Sequence, residues 1–135
     1  MKTYTCSKVC RRNKLGKLTS SHATGELEIH YKLHKPVRSP VGGIMAFSSL
    51  SAAEGWRDVG DCVFSAIGRE PVPLGEYVLR ITRLNVRNAR KFWGESKLLR
   101  YGGRAALVSL PIDTVAYKEL TLVEEIPWQF MTTER

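Results

Sequence analysis

A stretch of alternating apolar and polar residues between positions 27 and 34 is the feature that most restricts how this chain can fold. Apolar side chains occupy every second position, so that Leu27, Ile29, Tyr31 and Leu33 alternate with Glu28, His30, Lys32 and His34. Because successive side chains of a β-strand point to opposite faces, this period of two predicts a half-buried strand. Pro36 and Pro40 are expected to end it, since proline cannot donate a hydrogen bond to a ladder.

Shorter apolar runs predict further strands over residues 1–11, 43–47, 62–67, 76–84, 105–110 and 115–123. The polar residues 11–21, with Gly16 among them, predict a loop or a hairpin tip. Residues 68–73 predict a second loop, and residues 111–113 predict a hairpin turn. The aromatic segment that begins at Pro127 is expected to dock on the core.

One short helix is predicted over residues 50–57. Either Ser48 or Ser51 can cap it, and Ser51 with Glu54 matches a capping box. Three side chains at helical spacing are expected to pack inward, namely Leu50, Ala53 and Trp56. A second, basic helix is predicted over residues 83–93, where apolar and arginine side chains both recur at helical spacing.

These elements predict an α+β fold with a mainly antiparallel sheet of about six or seven strands and one or two short helices. Strands and helices do not alternate regularly, which disfavours a doubly wound parallel sheet. A partly closed, barrel-like sheet is the alternative. The 135 residues are expected to form a single domain, 1–135.

Composition excludes several classes of protein. With 43% hydrophobic residues, the chain is too apolar to be disordered. It contains no apolar run of the roughly 18 residues that a membrane-spanning helix needs, and a basic stretch follows its first residues where a secretory signal would be apolar. Three cysteines are an odd number without disulfide-framework density, so we expect reduced thiols and a cytoplasmic protein without a membrane partner.

Positive charge is concentrated in two blocks of this basic chain, whose formal net charge is +8. Residues 1–38 carry nine Lys and Arg against two Glu, and residues 76–104 carry eight against two. The remaining segments are mildly acidic. If the two basic blocks meet in space, they form a field that attracts anions.

The second basic block predicts an anion-binding site. Arginine contacts phosphate through two hydrogen bonds at once, and aromatic rings can stack on bases. The predicted anion-binding residues are Arg80, Arg83, Arg87, Arg90, Lys91, Arg100 and Arg104, joined by Arg11 and Arg12 of the first block, where Lys14 and Lys17 follow on the predicted loop. The predicted stacking residues are Trp93 and Tyr101.

No metal, cofactor or thiol chemistry is predicted. Cys6 and Cys10 are spaced like His30 and His34, but on an extended strand residues four apart stand roughly 13 Å from each other. One tetrahedral zinc requires all its ligand atoms within about 2.3 Å. Cys62 belongs to an apolar strand, which raises a thiol pKa, and Cys10 has only neighbouring arginines to lower its own.

Four residues carry a resemblance to an enzyme family. His30, Tyr31 and the pair Glu124 and Glu125 resemble the histidine, tyrosine and glutamate of ADP-ribosyltransferases. The resemblance implies a small enzyme acting on a nucleotide. Those enzymes take the three residues from separate strands, whereas His30 and Tyr31 are neighbours on one predicted strand and face opposite sides.

The sequence therefore predicts a small binding protein for an anionic partner, most of all a nucleic acid. A nucleotide-like ligand or an acidic protein surface would supply the same charge. One alternative is a homo-oligomeric interaction or assembly module, favoured by free strand edges and the apolar segment 128–131. The other is the nucleotide-acting enzyme.

Overall fold

The computed structural model describes residues 2–20, 28–39, 41–74, 77–79, 90, 107–109 and 113–127. Within these ranges the strands are β1 (Tyr4–Arg12), β2 (Leu18–Ser20), β3 (His30–Tyr31), β4 (Pro36–Arg38), β5 (Ile44–Phe47), β6 (Asp61–Pro71), β7 (Tyr77–Leu79), β8 (Leu107–Ser109) and β9 (Thr114–Ile126). The helix is α1 (Leu50–Trp56).

Seven of the strands form one sheet, in which every pairing is antiparallel. The order is β3-β2-β1-β5-β9-β4, and β6 pairs with both β1 and β9. Strand β6 pairs with β1 on one side and with β9 on the other, and β5 also pairs with both β1 and β9. Ser7 and Phe47 are the one register pair between β1 and β5. β7 and β8 form a separate two-stranded sheet. The predicted mainly antiparallel sheet of six or seven strands is confirmed.

Apolar side chains pack on both faces of β1, because successive residues of a strand point in opposite directions. Cys6 and Cys10 belong to the larger cluster, whose other members include Phe64, Leu120 and Leu122. Val9 belongs to a smaller cluster that α1 covers with Ala53. The two long strands β6 and β9 thus supply seven of the sixteen buried hydrophobic side chains of the described residues.

Helix α1 begins at Leu50 as predicted, but its N-cap is neither of the two predicted serines. Ser49 is the N-cap, and its hydroxyl accepts a hydrogen bond from the backbone N–H of Ala52 at 3.2 Å. The prediction of Ser48 or Ser51 as the cap was wrong by one or two positions. Ala53 is buried as predicted, whereas Trp56 is 44% exposed and lies with its ring 6.2 Å from that of Phe47.

The alternating segment forms much less strand than its periodicity predicts. Of its described residues, which begin at Glu28, His30 and Tyr31 form a strand, β3. Residues 32–35 form a turn in which the N–H of Lys35 donates to the carbonyl of Lys32 at 3.2 Å. The expectation that Pro36 ends a strand was also wrong, because Pro36 is the first residue of β4 and pairs with Thr121. Proline is tolerated at the first position of a strand.

Three turns differ from their predictions. Of residues 11–20 of the loop predicted over 11–21, only 13–17 lie outside strands, since β1 continues to Arg12 and β2 spans Leu18–Ser20. β6 continues through most of the loop predicted over 68–73, and a Cβ at Gly68 would overlap the Tyr117 ring. The hairpin predicted at 111–113 was wrong, because β8 pairs with β7 while β9 pairs with β4, β5 and β6.

Two predicted features lie outside the described residues. They are the helix over 83–93, apart from residue 90, and the segment 128–131.

Candidate functional site

Most of the predicted anion-binding residues lie outside the part of the chain that the structure describes. These are Arg80, Arg83, Arg87, Lys91, Arg100 and Arg104, together with the stacking candidates Trp93 and Tyr101. Arg90 is described, and its side chain is exposed. The arginine-rich segment therefore remains a prediction from sequence.

Arg11 and Arg12 lie at the end of β1, and each faces a carboxylate. A guanidinium nitrogen of Arg12 donates to Glu125 at 2.8 Å, and Arg11 lies 3.9 Å from Glu28. Both pairs are partly exposed to solvent, where such ion pairs contribute little to stability. An external anion would compete with these two glutamates for the arginines, so neither arginine is a vacant anion site.

The turn between β1 and β2 projects three exposed side chains, Lys14, Leu15 and Lys17. Its conformation is fixed by Asn13, whose side-chain oxygen accepts hydrogen bonds from the N–H groups of Leu15 and Lys17 at 2.9 and 3.0 Å. The backbone N–H of Gly16 donates to the carbonyl of Asn13 at 2.9 Å. Gly16 has φ +79°, a left-handed conformation that glycine adopts without a steric penalty.

The turn between β3 and β4 repeats this arrangement. Lys32, Leu33, His34 and Lys35 are all exposed, and His34 occupies the left-handed region with φ 66°. The N–H of His34 donates to the carbonyl of Leu122 at 2.7 Å, which anchors the turn to β9. Both turns thus have the sequence Lys-Leu-x-Lys, and the third residue is left-handed in each.

Strand pairing brings the two turns to the same end of the sheet. Leu18 pairs with Tyr31, so Lys17 and Lys32 come directly beyond the last register pair of β2 and β3. Neighbouring strands lie about 4.8 Å apart. We define the twin-turn surface by its six exposed side chains, which are Lys14, Leu15, Lys17, Lys32, Leu33 and Lys35.

The charge of the twin-turn surface is not neutralised by the described residues. None of its four lysines forms an ion pair within them, and neither Lys-Leu-x-Lys turn contains an acidic residue. By contrast, Arg38 contacts Glu70 at 2.8 Å and Glu119 at 3.5 Å, and its hydrogen bond lowers the Glu70 pKa. Like charges on neighbouring strands repel each other. An anion that contacts both turns would relieve this repulsion.

The side chain of Lys8 is half-buried, in contrast to the exposed lysines of the twin-turn surface. It shares the face of β1 that carries Cys6 and Cys10, and its ammonium group donates to the backbone carbonyl of Met45 at 2.6 Å. Burial lowers the pKa of Lys8, while the neighbouring thiols of Cys10 and Cys6 act in the opposite direction. This hydrogen bond links Lys8 of β1 to β5, so the Lys8 ammonium group already has a partner within the sheet.

The three cysteines are free thiols in surroundings that suppress their reactivity. Burial raises the pKa of Cys6 to about 11 and that of Cys10 to about 12. Burial also raises the pKa of Cys62, which pairs with Cys10 across β1 and β6. Since the thiolate is the nucleophile, these shifts oppose catalysis at neutral pH. In the described ranges no three His, Cys, Asp or Glu side chains are grouped so that they could hold a metal ion.

The residues that resemble those of ADP-ribosyltransferases are spread over two strands. His30 is exposed and lies 3.3 Å from Glu28, whereas Tyr31 is buried, with a pKa that burial raises. Glu124 and Glu125 are exposed neighbours on β9. His30 and Tyr31 therefore point to opposite faces, which separates two members of the proposed set.

Lys32 and Lys35 were not among the sites that sequence reasoning identified. The signal was present, because the tetrapeptide Lys-Leu-x-Lys occurs at 14–17 and again at 32–35. Alternation hid the second copy, since Leu33 continues the period of two that predicts a strand.

Comparison of the chain with protein-family models, with curated proteins and with solved structures finds no match. Among the described residues no helix is long and apolar enough to cross a membrane. Any functional assignment therefore depends on the chain's own geometry and charge.

Proposed function

We propose that this protein binds a polyanion, with nucleic acid as the partner, and that the twin-turn surface contacts the phosphates. The observation that carries the proposal is the group of four exposed lysines on two adjoining turns, none of which has a carboxylate partner among the described residues. Phosphates neutralised by lysine release counterions, and this release supplies sequence-independent affinity.

The shape of the surface favours an extended anion over a small one. The four lysines are divided between two exposed turns, with two lysines on each turn. A nucleic acid presents phosphates at regular intervals along its backbone, and duplex DNA carries one charge per roughly 1.7 Å of helix axis. Several lysines can therefore contact different phosphates of one nucleic acid at the same time.

The arginine-rich segment is the second contact that we propose. Residues 80–104 contain eight Lys and Arg and three interleaved aromatic residues, Phe92, Trp93 and Tyr101. Arginine and aromatic side chains add bidentate phosphate contacts and stacking to what lysines provide. Both basic blocks would then act on one anionic partner.

Titration of fluorescent duplex and single-stranded DNA with the wild-type protein over a salt series tests the proposal. We expect binding at low salt and a linear fall of log K with log salt, with a slope of about −0.9 for each duplex phosphate neutralised. The absence of binding to both nucleic acids at about 50 mM salt would refute the proposal. An affinity that does not change with salt would equally refute it.

A further inference from the structure

The apex of each turn in the twin-turn surface is a leucine. Leu15 is 80% exposed and Leu33 is 43% exposed, and each is preceded by one lysine and followed two residues later by another. Burial of an exposed leucine side chain in an apolar contact is favourable. The fold thus holds two aliphatic side chains in water, each between cations that would draw them towards an anionic partner.

Both leucines are held on turns with a fixed conformation. The Asn13 side chain binds the N–H of Leu15 itself, and the turn of Leu33 is tied to β9 through the N–H of His34. His34 keeps a left-handed backbone although it is not glycine, which is an uncommon conformation for such residues. A turn that is already ordered loses little conformational entropy on binding, so the apical leucines are preorganised for a contact.

We propose that the twin-turn surface enters the major groove of duplex DNA, where its lysines contact phosphates along the groove and Leu15 and Leu33 contact thymine methyl groups. This inference rests on the proposed function and adds to it the form of the nucleic acid and the apolar contact. The two turns extend from three adjacent strands, β1, β2 and β3, so that the outer two lie about 9.6 Å apart at about 4.8 Å per strand. A major groove about 12 Å wide is wider than this span, whereas a minor groove about 6 Å wide is narrower.

Lysine and leucine together also suit an anionic membrane surface. The duplex is favoured because the two leucines are the only apolar side chains of this surface, so its remaining contacts must come from charge. The arginine-rich segment with its aromatic residues supplies contacts of the kind that nucleic acids accept. Vesicle binding is therefore an outcome of the test and not a second proposal.

The experiment compares the Leu15→Gln/Leu33→Gln variant with the wild-type protein on two duplexes, one containing thymine and the other uracil at the same positions. The control is Val59→Gln, which replaces a fully exposed aliphatic side chain beside Asp58 and outside the twin-turn surface. All the substituted side chains are exposed, so the variants are expected to remain folded. Binding to vesicles of phosphatidylserine and phosphatidylcholine is measured in parallel.

We expect the leucine variant to bind the thymine duplex roughly tenfold more weakly than the wild type, with an unchanged salt slope. We expect the wild type to lose several-fold affinity on the uracil duplex, and the leucine variant to bind both duplexes equally. Equal affinity of the wild type and the leucine variant for the thymine duplex would overturn the inference, as would binding to vesicles without binding to duplex. Failure of the wild type to bind any nucleic acid would instead refute the proposed function.

Discussion

Substitution of glutamine for all four lysines of the twin-turn surface is expected to weaken duplex DNA binding at least a hundredfold at about 0.1 M salt. The substituted residues are Lys14, Lys17, Lys32 and Lys35. Each phosphate contact contributes about −0.9 to the slope of log K against log salt, so four lost contacts lower its magnitude by up to about 3.6. Glutamine keeps most of the length of the side chain and removes only its charge. Fluorescence anisotropy over a salt series measures both quantities.

Two double variants provide a charge-matched comparison. Lys14→Gln/Lys17→Gln removes two charges from the twin-turn surface, and Lys2→Gln/Lys118→Gln removes two from elsewhere. Lys2 lies beside Tyr4, at the end of β1 opposite the turn. Tyr4 pairs with Gly68 of β6, which in turn pairs with Leu120 of β9. Lys118 is two residues from Leu120 and therefore lies near the same end of β1 as Lys2. We expect a large loss of affinity for the first variant and a small one for the second. Equal losses would show that net charge, and not the twin-turn surface, determines binding.

Replacing Phe64 with alanine is expected to lower the free energy of unfolding by about 3–5 kcal/mol. Phe64 is 1% exposed and lies on β6, where it pairs with Lys8 of β1 and Glu125 of β9. Truncation to alanine removes its buried surface and leaves a cavity that the surrounding long strands can fill only in part. Urea denaturation followed by circular dichroism measures the change.

The control for Phe64→Ala is Leu33→Ala. Leu33 is 43% exposed, so its truncation is expected to change the free energy of unfolding by no more than about 0.5 kcal/mol. Phe64→Leu, which retains most of the apolar volume, should fall between the two. A loss below about 1 kcal/mol for Phe64→Ala would contradict the position of Phe64 at the centre of the core.

Local sequence patterns predicted those parts of the sheet that coincide with a continuous apolar run. β5 and the central part of β6 occupy apolar runs, and both were predicted within a few residues. The ends of the long strands depend on partners distant in sequence. β6 extends to Pro71, where it pairs with Tyr117, and no local pattern contains that information.

The segment 27–34 shows why periodicity alone was insufficient. Leu33 satisfies the period of two, yet it lies at the apex of a turn and not on a strand. The left-handed backbone of His34 and its hydrogen bond to Leu122 of β9 determine that turn. A tertiary contact therefore overrides a local alternation, and β4 begins at Pro36, where it pairs with β9.

Only part of the candidate site was predicted, because ion pairing also depends on tertiary contacts. Lys14 and Lys17 were associated with anion binding because they follow Arg11 and Arg12 in a basic loop. The structure shows that the arginines have carboxylate partners whereas the lysines form no ion pair with the described residues. Arg12 contacts Glu125, which is 113 positions later in the sequence. Charge counts do not reveal which cations already have partners, because pairing depends on the sheet's register.

Titration of the 15N-labelled protein with a thymine-containing duplex, followed by amide chemical shifts, tests most directly whether the twin-turn surface is the contact. Of the described residues, those at 13–17 and 32–35 should shift most, and those near Arg38, Arg69 and Glu119 should change little. Shifts concentrated at the Arg38 end of the sheet, with the two turns unaffected, would contradict the account.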